Sequence, residues 1–321
     1  MRVLLTGAGG FVGPHVVEAV RRLYKSGLDI VATSREPADH PTLGRIISLD
    51  VADPAAVDDI IATQKPTHVV HLAGIAAPAA ANADPEMTWC VHVHGALNLA
   101  RSIMKRAPDC WLIHIGSGMV YGETAKAGRP LQENDLLAPQ DEYSATKAAA
   151  DLALGALTKS GLQCIRMRPF NHFGPGQSEA FVVPALAMQI ARIEAGLAPA
   201  VIRVGNLDAQ RDFLDVRDVA SAYVLTVQAA ERVATGTILN IASGVPRRIG
   251  DVLNRLIAIS RVEISVEQDT ARQRPNENQN IVGDARCARA LLHWQPQYTF
   301  DDTLKAVMDD CRARVMCATK S

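Results

Sequence analysis

A chain of 321 residues, 48% of them hydrophobic and 21% charged, has the length of one large domain with an appendage or of two domains. That composition excludes intrinsic disorder, and a formal net charge of −1 excludes bulk electrostatic binding to nucleic acid or to an anionic membrane. No apolar run approaches the roughly 18 residues of a membrane span, the amino terminus lacks the apolar core of a signal peptide, and an aromatic share of 4% removes base-stacking platforms.

The predicted elements alternate. Residues 2–6 read as a buried strand, and 11–24 as a helix with Val12, Val16, Ala19, Val20 and Leu23 at helical spacing. After a break at Gly27 come strands over 29–33 and 46–49, then a helix over 55–64 that stops before Pro66. A strand over 68–72, a helix over roughly 87–106, a strand over 111–115, a helix over 143–159 and a strand over 164–167 follow. Strands that are apolar throughout, separated by helices, predict a parallel sheet covered on both faces. Right-handed crossovers then give an α/β, doubly wound Rossmann-type fold. Beyond Arg168 the alternation weakens, although 216–230 reads as a helix and 237–241 as a strand returning to the large sheet. The expected division is a dinucleotide-binding domain, 1–169 plus 212–242, and a smaller α/β substrate lobe, 170–211 plus 243–321.

The first strand runs into Gly7-Ala8-Gly9-Gly10-Phe11-Val12-Gly13, and a helix opens there. Glycines 7, 10 and 13 fit the spacing of a dinucleotide loop: one for the turn, one for close approach of a pyrophosphate, one for tight helix–strand packing. The helix N-terminus offers free N–H groups to the phosphates. No Gly-Lys-Ser/Thr follows, so this is not a P-loop. The second strand ends in Ser34 and Arg35 with no acid at its tip, and Arg35 can pair with a 2′-phosphate, which favours NADP(H) over NAD(H). Glu36 is the counter-argument. Asp50, closing the third strand, suits either the adenine amino group or a helix cap or turn.

Tyr143 and Lys147 stand four apart on a predicted helix and share a face. An ammonium beside a phenol lowers the phenol pKa, and a tuned tyrosine can hand a proton to a carbonyl oxygen. Ser117, just past a strand end, offers a hydroxyl to the same oxygen. These three are the candidate catalytic residues. The six cysteines form no CxxC pair and are expected to be reduced thiols in a cytoplasmic protein. No HExxH occurs, His68 and His71 are expected on opposite faces of a strand, and His92 and His94 do not share a helix face, so no metal site is expected.

With the glycine loop, His71-Leu72-Ala73, the segment 117–122, the Tyr143/Lys147 pair, Arg168-Pro169-Phe170-Asn171 and Trp294-Gln295-Pro296, the sequence resembles the extended short-chain dehydrogenase/reductase family over its whole length. The resemblance implies dinucleotide contacts from Gly7, Gly10, Phe11, Val12, Gly13, Ser34, Arg35, Asp50, Val51, Leu72, Ala73, Gly74, Tyr143 and Lys147. It also implies a homodimer through the helices near 87–106 and 143–160. Segments 170–177 and 204–213 are similar to those of GDP-4-keto-6-deoxy-mannose reductases, and GDP-mannose 4,6-dehydratases have a version of the second. That likeness implies a GDP-linked sugar held by Ser117, Asn171, Val182, Arg211, Arg274 and Glu277. Guanidinium suits phosphate and carboxylate suits a vicinal diol. A competing expectation for Arg211 is an ion pair with Asp212 or Asp215.

A 4,6-dehydratase also needs an acid beside the sugar, which in the similar dehydratases lies two residues after the serine or threonine. Here that residue is Met119, and a thioether moves no protons. Reduction of a C4 ketone by NADPH is therefore expected. An NDP-sugar 4-epimerase and a non-catalytic NADP(H) sensor are the other readings. The sequence departs from the family pattern in the alanine-rich loop after the fourth strand, at His92 where an asparagine is usual, and at Ala96 where threonine is frequent.

Overall fold

The computed structural model describes residues 1–24, 28–269 and 280–319. The first half contains β1 (Arg2–Thr6), α1 (Val12–Leu23), β2 (Asp29–Ser34), β3 (Ala38–His40), β4 (Gly44–Ser48), α2 (Pro54–Gln64) and β5 (His68–His71). Short helices α3 (Pro78–Ala83) and α4 (Pro85–Trp89) lead through a π-helical turn, Cys90–His94, into α5 (Gly95–Arg106). Then come β6 (Trp111–Ile115), α6 (Glu142–Leu157) and β7 (Cys164–Pro169). The second half contains β8 (Asn171–Phe173), α7 (Val182–Glu194), β9 (Val201–Val204), β10 (Gln210–Asp215), α8 (Val216–Ala229), β11 (Ile238–Ile241), β12 (Pro246–Arg248), α9 (Ile249–Ala258), β13 (Ser265–Gln268), β14 (Asn280–Ile281), α10 (Arg286–Leu292) and α11 (Phe300–Ala318).

The eight-stranded sheet has the order β11-β7-β6-β5-β1-β2-β4-β3. All of its pairings are parallel except β3 with β4. β1 lies between β2 and β5, so the chain reverses its direction of travel across the sheet there, and a crevice opens beyond the strand ends. Leu4, Val69, Leu112, Ile113 and Ile165 are sealed by helices on both faces, which is why these strands read as continuous apolar runs. Strand β3 was not expected: three residues between Pro37 and Pro41 pair antiparallel at the sheet edge and carry no apolar alternation.

Local chemistry sets the helix starts. Asp53 caps α2 ahead of Pro54, and Asp141 with Ser144 forms a capping box on α6, which fixes the helix bearing Tyr143 and Lys147. α8 and β11 do join the large sheet layer, with β11 beside β7.

A second core gathers α7, α9 and α11 around Phe173, Phe213 and Phe300, whose rings stand 5.4–6.3 Å apart. Asn171 on β8 pairs with Phe213 on β10, so the two lobes share a small sheet of their own. The expected second lobe gives up residues 281–294 to the first core. Ile281, Ala285, Ala288, Leu292 and Trp294 pack there, and the Trp294 indole donates to the Asp218 carbonyl at 3.0 Å. A seven-residue helix buries its apolar stripe against α8 and β11. No helix among the described residues is long and apolar enough to cross a membrane.

Candidate active site

One cavity of about 980 Å³ runs along the crevice and into the second lobe. At one end lies the glycine loop. Gly7 has φ +68°, and a Cβ there would fall 2.6 Å from Ala73 Cα. A Cβ on Gly13 would fall 1.9 Å from the Ala8 carbonyl oxygen, which is what lets α1 press onto β1. Helix α1 begins without a side-chain cap, and although the Gly13 N–H goes to the Gly10 carbonyl at 3.2 Å, that of Val12 is left for a ligand. Gly7, Gly10, Phe11 and Val12 line the cavity, whereas Gly13 packs behind it. These features fit a dinucleotide pyrophosphate. Gly13→Ala is expected to cost about 1–3 kcal/mol of stability by overpacking. It should also weaken dinucleotide binding, read as a lower melting temperature with a smaller NADPH-induced rise.

Ser34 and Arg35, at the tip of β2, face the same end of the cavity, as do Asp50 and Val51 after β4. Arg35 is exposed and its guanidinium has no partner among the described residues; Glu36 does not line the cavity. Asp50 accepts from the Ala52 N–H at 2.9 Å in a turn, while the cap of α2 is Asp53. Of the two structural alternatives for Asp50, the turn forms and the helix cap does not.

Leu72, Ala73 and Gly74, following β5, line the middle of the cavity with Ser117, Tyr143 and Lys147. Ser117 Oγ accepts from the Met119 N–H at 3.1 Å and bonds the Tyr143 phenol. Lys147 Nζ donates to the Ile115 carbonyl at 3.2 Å. Burial lowers Lys147 to about 8. Burial also pushes the Tyr143 phenol up from its ordinary value, with the Ser117 bond acting against it. The expected lowering of the phenol by its lysine does not appear: Lys147 is not among the groups acting on the phenol, and desolvation of the phenolate dominates. Met119 is half-buried beside Ser117. Among the described residues two carboxylates line the cavity, Asp50 at the glycine-loop end and Glu179, which is ion-paired with Arg192 at 2.8 Å.

At the other end Asn171, Val182 and Arg211 line the second-lobe wall. The carboxylates expected to compete for Arg211 are engaged elsewhere. Asp212 accepts from Ser243, Gly244 and Gly283, and Asp215 from Arg217 and Thr303. Arg274 and Glu277 lie outside the described residues. The His172 ring bonds backbone only, with Nδ1 3.0 Å from the Phe170 carbonyl, and it stacks on Phe11. Sequence reasoning missed Arg203 on β9, an exposed cation on the cavity wall whose guanidinium has no partner among the described residues. Its neighbours Val204 to Phe213 were noted, but nothing in a four-residue strand shows which face meets the cavity. Among the described residues no group of three or more metal-binding side chains exists.

The model of the NAD dependent epimerase/dehydratase family matches residues 3–242. GDP-6-deoxy-D-mannose reductase of Pseudomonas aeruginosa is 33% identical over 98% of this chain and 98% of its own. A solved structure described as RMD from Pseudomonas aeruginosa complexed with NADPH superposes with a TM-score of 0.84 at 31% identity, covering 98% of this chain and 99% of that one. The UDP-glucose 4-epimerase of Thermus thermophilus, solved with NAD, gives a TM-score of 0.83 at 25% identity over 97% of this chain and 99% of that one. With its strand order, its glycine loop and its serine, tyrosine and lysine on one cavity, the chain belongs to the NAD dependent epimerase/dehydratase family.

Proposed function

We propose that the protein reduces the C4 ketone of a GDP-linked 4-keto-6-deoxyhexose, GDP-4-keto-6-deoxy-mannose giving GDP-6-deoxy-D-mannose. The observation that carries this is the grouping of Ser117, Tyr143 and Lys147 on one stretch of cavity with a thioether, not a carboxylate, at Met119. NADPH, when bound, supplies the hydride. Gly7, Gly10, Phe11 and Val12 would hold its pyrophosphate, Asp50 and Val51 its adenosine end, and Lys147 its nicotinamide ribose. Ser117 would hold the ketone oxygen and Tyr143 would protonate it. A phenol pushed up by burial holds its proton until an alkoxide develops, which suits a proton donor. The Lys147 ammonium then steadies the phenolate. Asn171, Val182 and Arg211 would take the nucleotide diphosphate, and the family likeness adds Arg274 and Glu277 to that set.

Arg35 is the proposed 2′-phosphate partner. Arg35→Ala should raise KM for NADPH about 10- to 100-fold, the worth of a charge-assisted hydrogen bond, with little change for NADH. Equal losses with both cofactors would count against NADP(H) preference. We further infer a cytoplasmic homodimer through α5 and α6, where Leu152 is exposed on the latter; a monomer by light scattering would refute it.

The function test is NADPH consumption on GDP-4-keto-6-deoxy-mannose, with Tyr143→Phe as control and the C4 product configuration read by NMR. Oxidation that depends on Tyr143 supports the reductase. A protein that binds NADPH but does not oxidise it here is not this reductase, and epimerisation of an NDP-sugar with retained cofactor becomes the reading to test.

A further inference from the structure

His92 lies in the π-helical turn between α4 and α5, where the extra residue turns its ring inward; it is 1% exposed. The Ile75 backbone N–H donates to His92 Nε2 at 2.9 Å. His92 Nδ1 lies 2.8 Å from Thr146 Oγ1, and the Thr146 hydroxyl donates to the Tyr143 carbonyl at 2.9 Å. A backbone N–H can only donate, so Nε2 is the unprotonated nitrogen. A neutral ring then carries its proton on Nδ1 and donates it to Thr146, whose own proton is committed to Tyr143. Every bond in the chain from Ile75 to Tyr143 therefore has one direction.

The same ring stands edge-on to Tyr143, with centroids 5.8 Å apart and planes at 82°. On its other side it closes over Gly74. A Cβ there would meet His92 Nε2 at 3.2 Å and Lys147 Nζ at 3.3 Å. One imidazole thus touches the turn after β5 and the helix that bears both Tyr143 and Lys147.

We propose that His92 is a positioning residue: locked as the neutral Nδ1–H tautomer, it clasps the Gly74–Ile75 turn to α6 and so sets where Tyr143 and Lys147 stand against the cavity. The proposal rests on the roles given above to those two residues. Protonation would remove the acceptor that Ile75 uses and would place a second cation beside Lys147. Burial, Lys147 and His71 hold the ring at about 2, well under the ordinary histidine value. Lys147, His71, His114 and Tyr143 are the titratable groups that face it.

The test combines ¹⁵N NMR of His92 in the wild-type protein with kinetics of two variants. Nε2 should resonate as an unprotonated ring nitrogen and Nδ1 as a protonated one, unchanged between about pH 5 and pH 8. His92→Phe keeps the ring volume and loses both bonds. It should lower kcat about 10- to 100-fold, the cost of a misplaced reacting group, and weaken NADPH binding, because Lys147 and Gly74 face the cofactor, while the protein stays folded at a modestly lower melting temperature. His92→Gln, whose amide can accept from Ile75 and donate to Thr146, should recover most of that loss. A ring that titrates in this range, a proton on Nε2, or full kcat in His92→Phe overturns the proposal. Wild-type protein without turnover would instead overturn the reductase reading, and the tautomer would still be decided by the spectrum.

Discussion

Replacing Tyr143 by Phe should lower kcat by about 10²- to 10⁴-fold, the range that a positioned general acid contributes, while the fold and NADPH affinity persist. The phenyl ring fills the same volume, and the α6 capping box of Asp141 and Ser144 is untouched. What is lost is the hydroxyl, with its proton and its bond to Ser117. The pH profile should carry the signature of Lys147. Its ammonium is the form that supports a developing phenolate, and burial lowers it from 10.5 to about 8. In the free enzyme kcat/KM should therefore fall as pH rises through about 8. A flat profile through that region would mean that Lys147 does not act as its ammonium.

The same shift has a consequence for stability with a definite sign. A lysine whose folded value lies below its unfolded value binds fewer protons folded than unfolded between the two. Over the window from about 8 to 10.5 this residue makes stability rise with pH, and below about 8 it is a constant cost. Lys147→Met should consequently raise the melting temperature at neutral pH while removing activity, the trade-off expected where a charge is buried for chemistry.

Much of this site was legible in the sequence because its signals are local. Gly7, Gly10 and Gly13 lie within one turn, and Tyr143 and Lys147 within one helical repeat, so spacing alone places them together. The central parallel strands were legible because burial on both faces writes itself as an unbroken apolar run, whereas β4, buried only at Ile46, showed just a short one. Arg203 and His92 were not, for a different reason. Arg203 reaches the cavity only through the pairing of β9 with β13, and His92 turns inward only because the helix makes a π-turn at Cys90–His94, which has no residue signature. The return of 281–294 to the first core was hidden for the same cause. Ala288 and Leu292 read simply as apolar, and only tertiary packing says against which lobe.

The largest expected loss of stability comes from the carboxylate four residues beyond Lys147 on α6. Asp151, 1% exposed, accepts from Arg166 at 2.8 Å and from Arg168 at 2.9 and 3.0 Å. Arg168, itself 2% exposed, also donates to the Tyr121 hydroxyl and the Glu133 carbonyl. The Tyr121 hydroxyl in turn donates to Asn240 Oδ1 at 2.7 Å, 119 residues away. This network ties α6 to β7 and to β11 at the far edge of the sheet. Asp151→Ala would leave a buried guanidinium without its counter-charge, so it should cost about 3–5 kcal/mol, read as a lowered urea midpoint with an unchanged slope. The partner substitution decides the cause. If the loss is an uncompensated charge and not a cavity, the double variant Asp151→Leu with Arg168→Met should be more stable than Asp151→Ala alone, because two desolvated ions are then replaced by apolar volume. A double variant that is worse than the single one would instead assign the stability to the hydrogen bonds that Arg168 makes with Tyr121 and Glu133. In either case the catalytic helix is held to the sheet by a residue on the same helix face as Tyr143 and Lys147 but further along α6, and Asp151 itself does not line the cavity. Stability and turnover should accordingly fail separately in these variants, with kcat per folded molecule largely kept in the double variant.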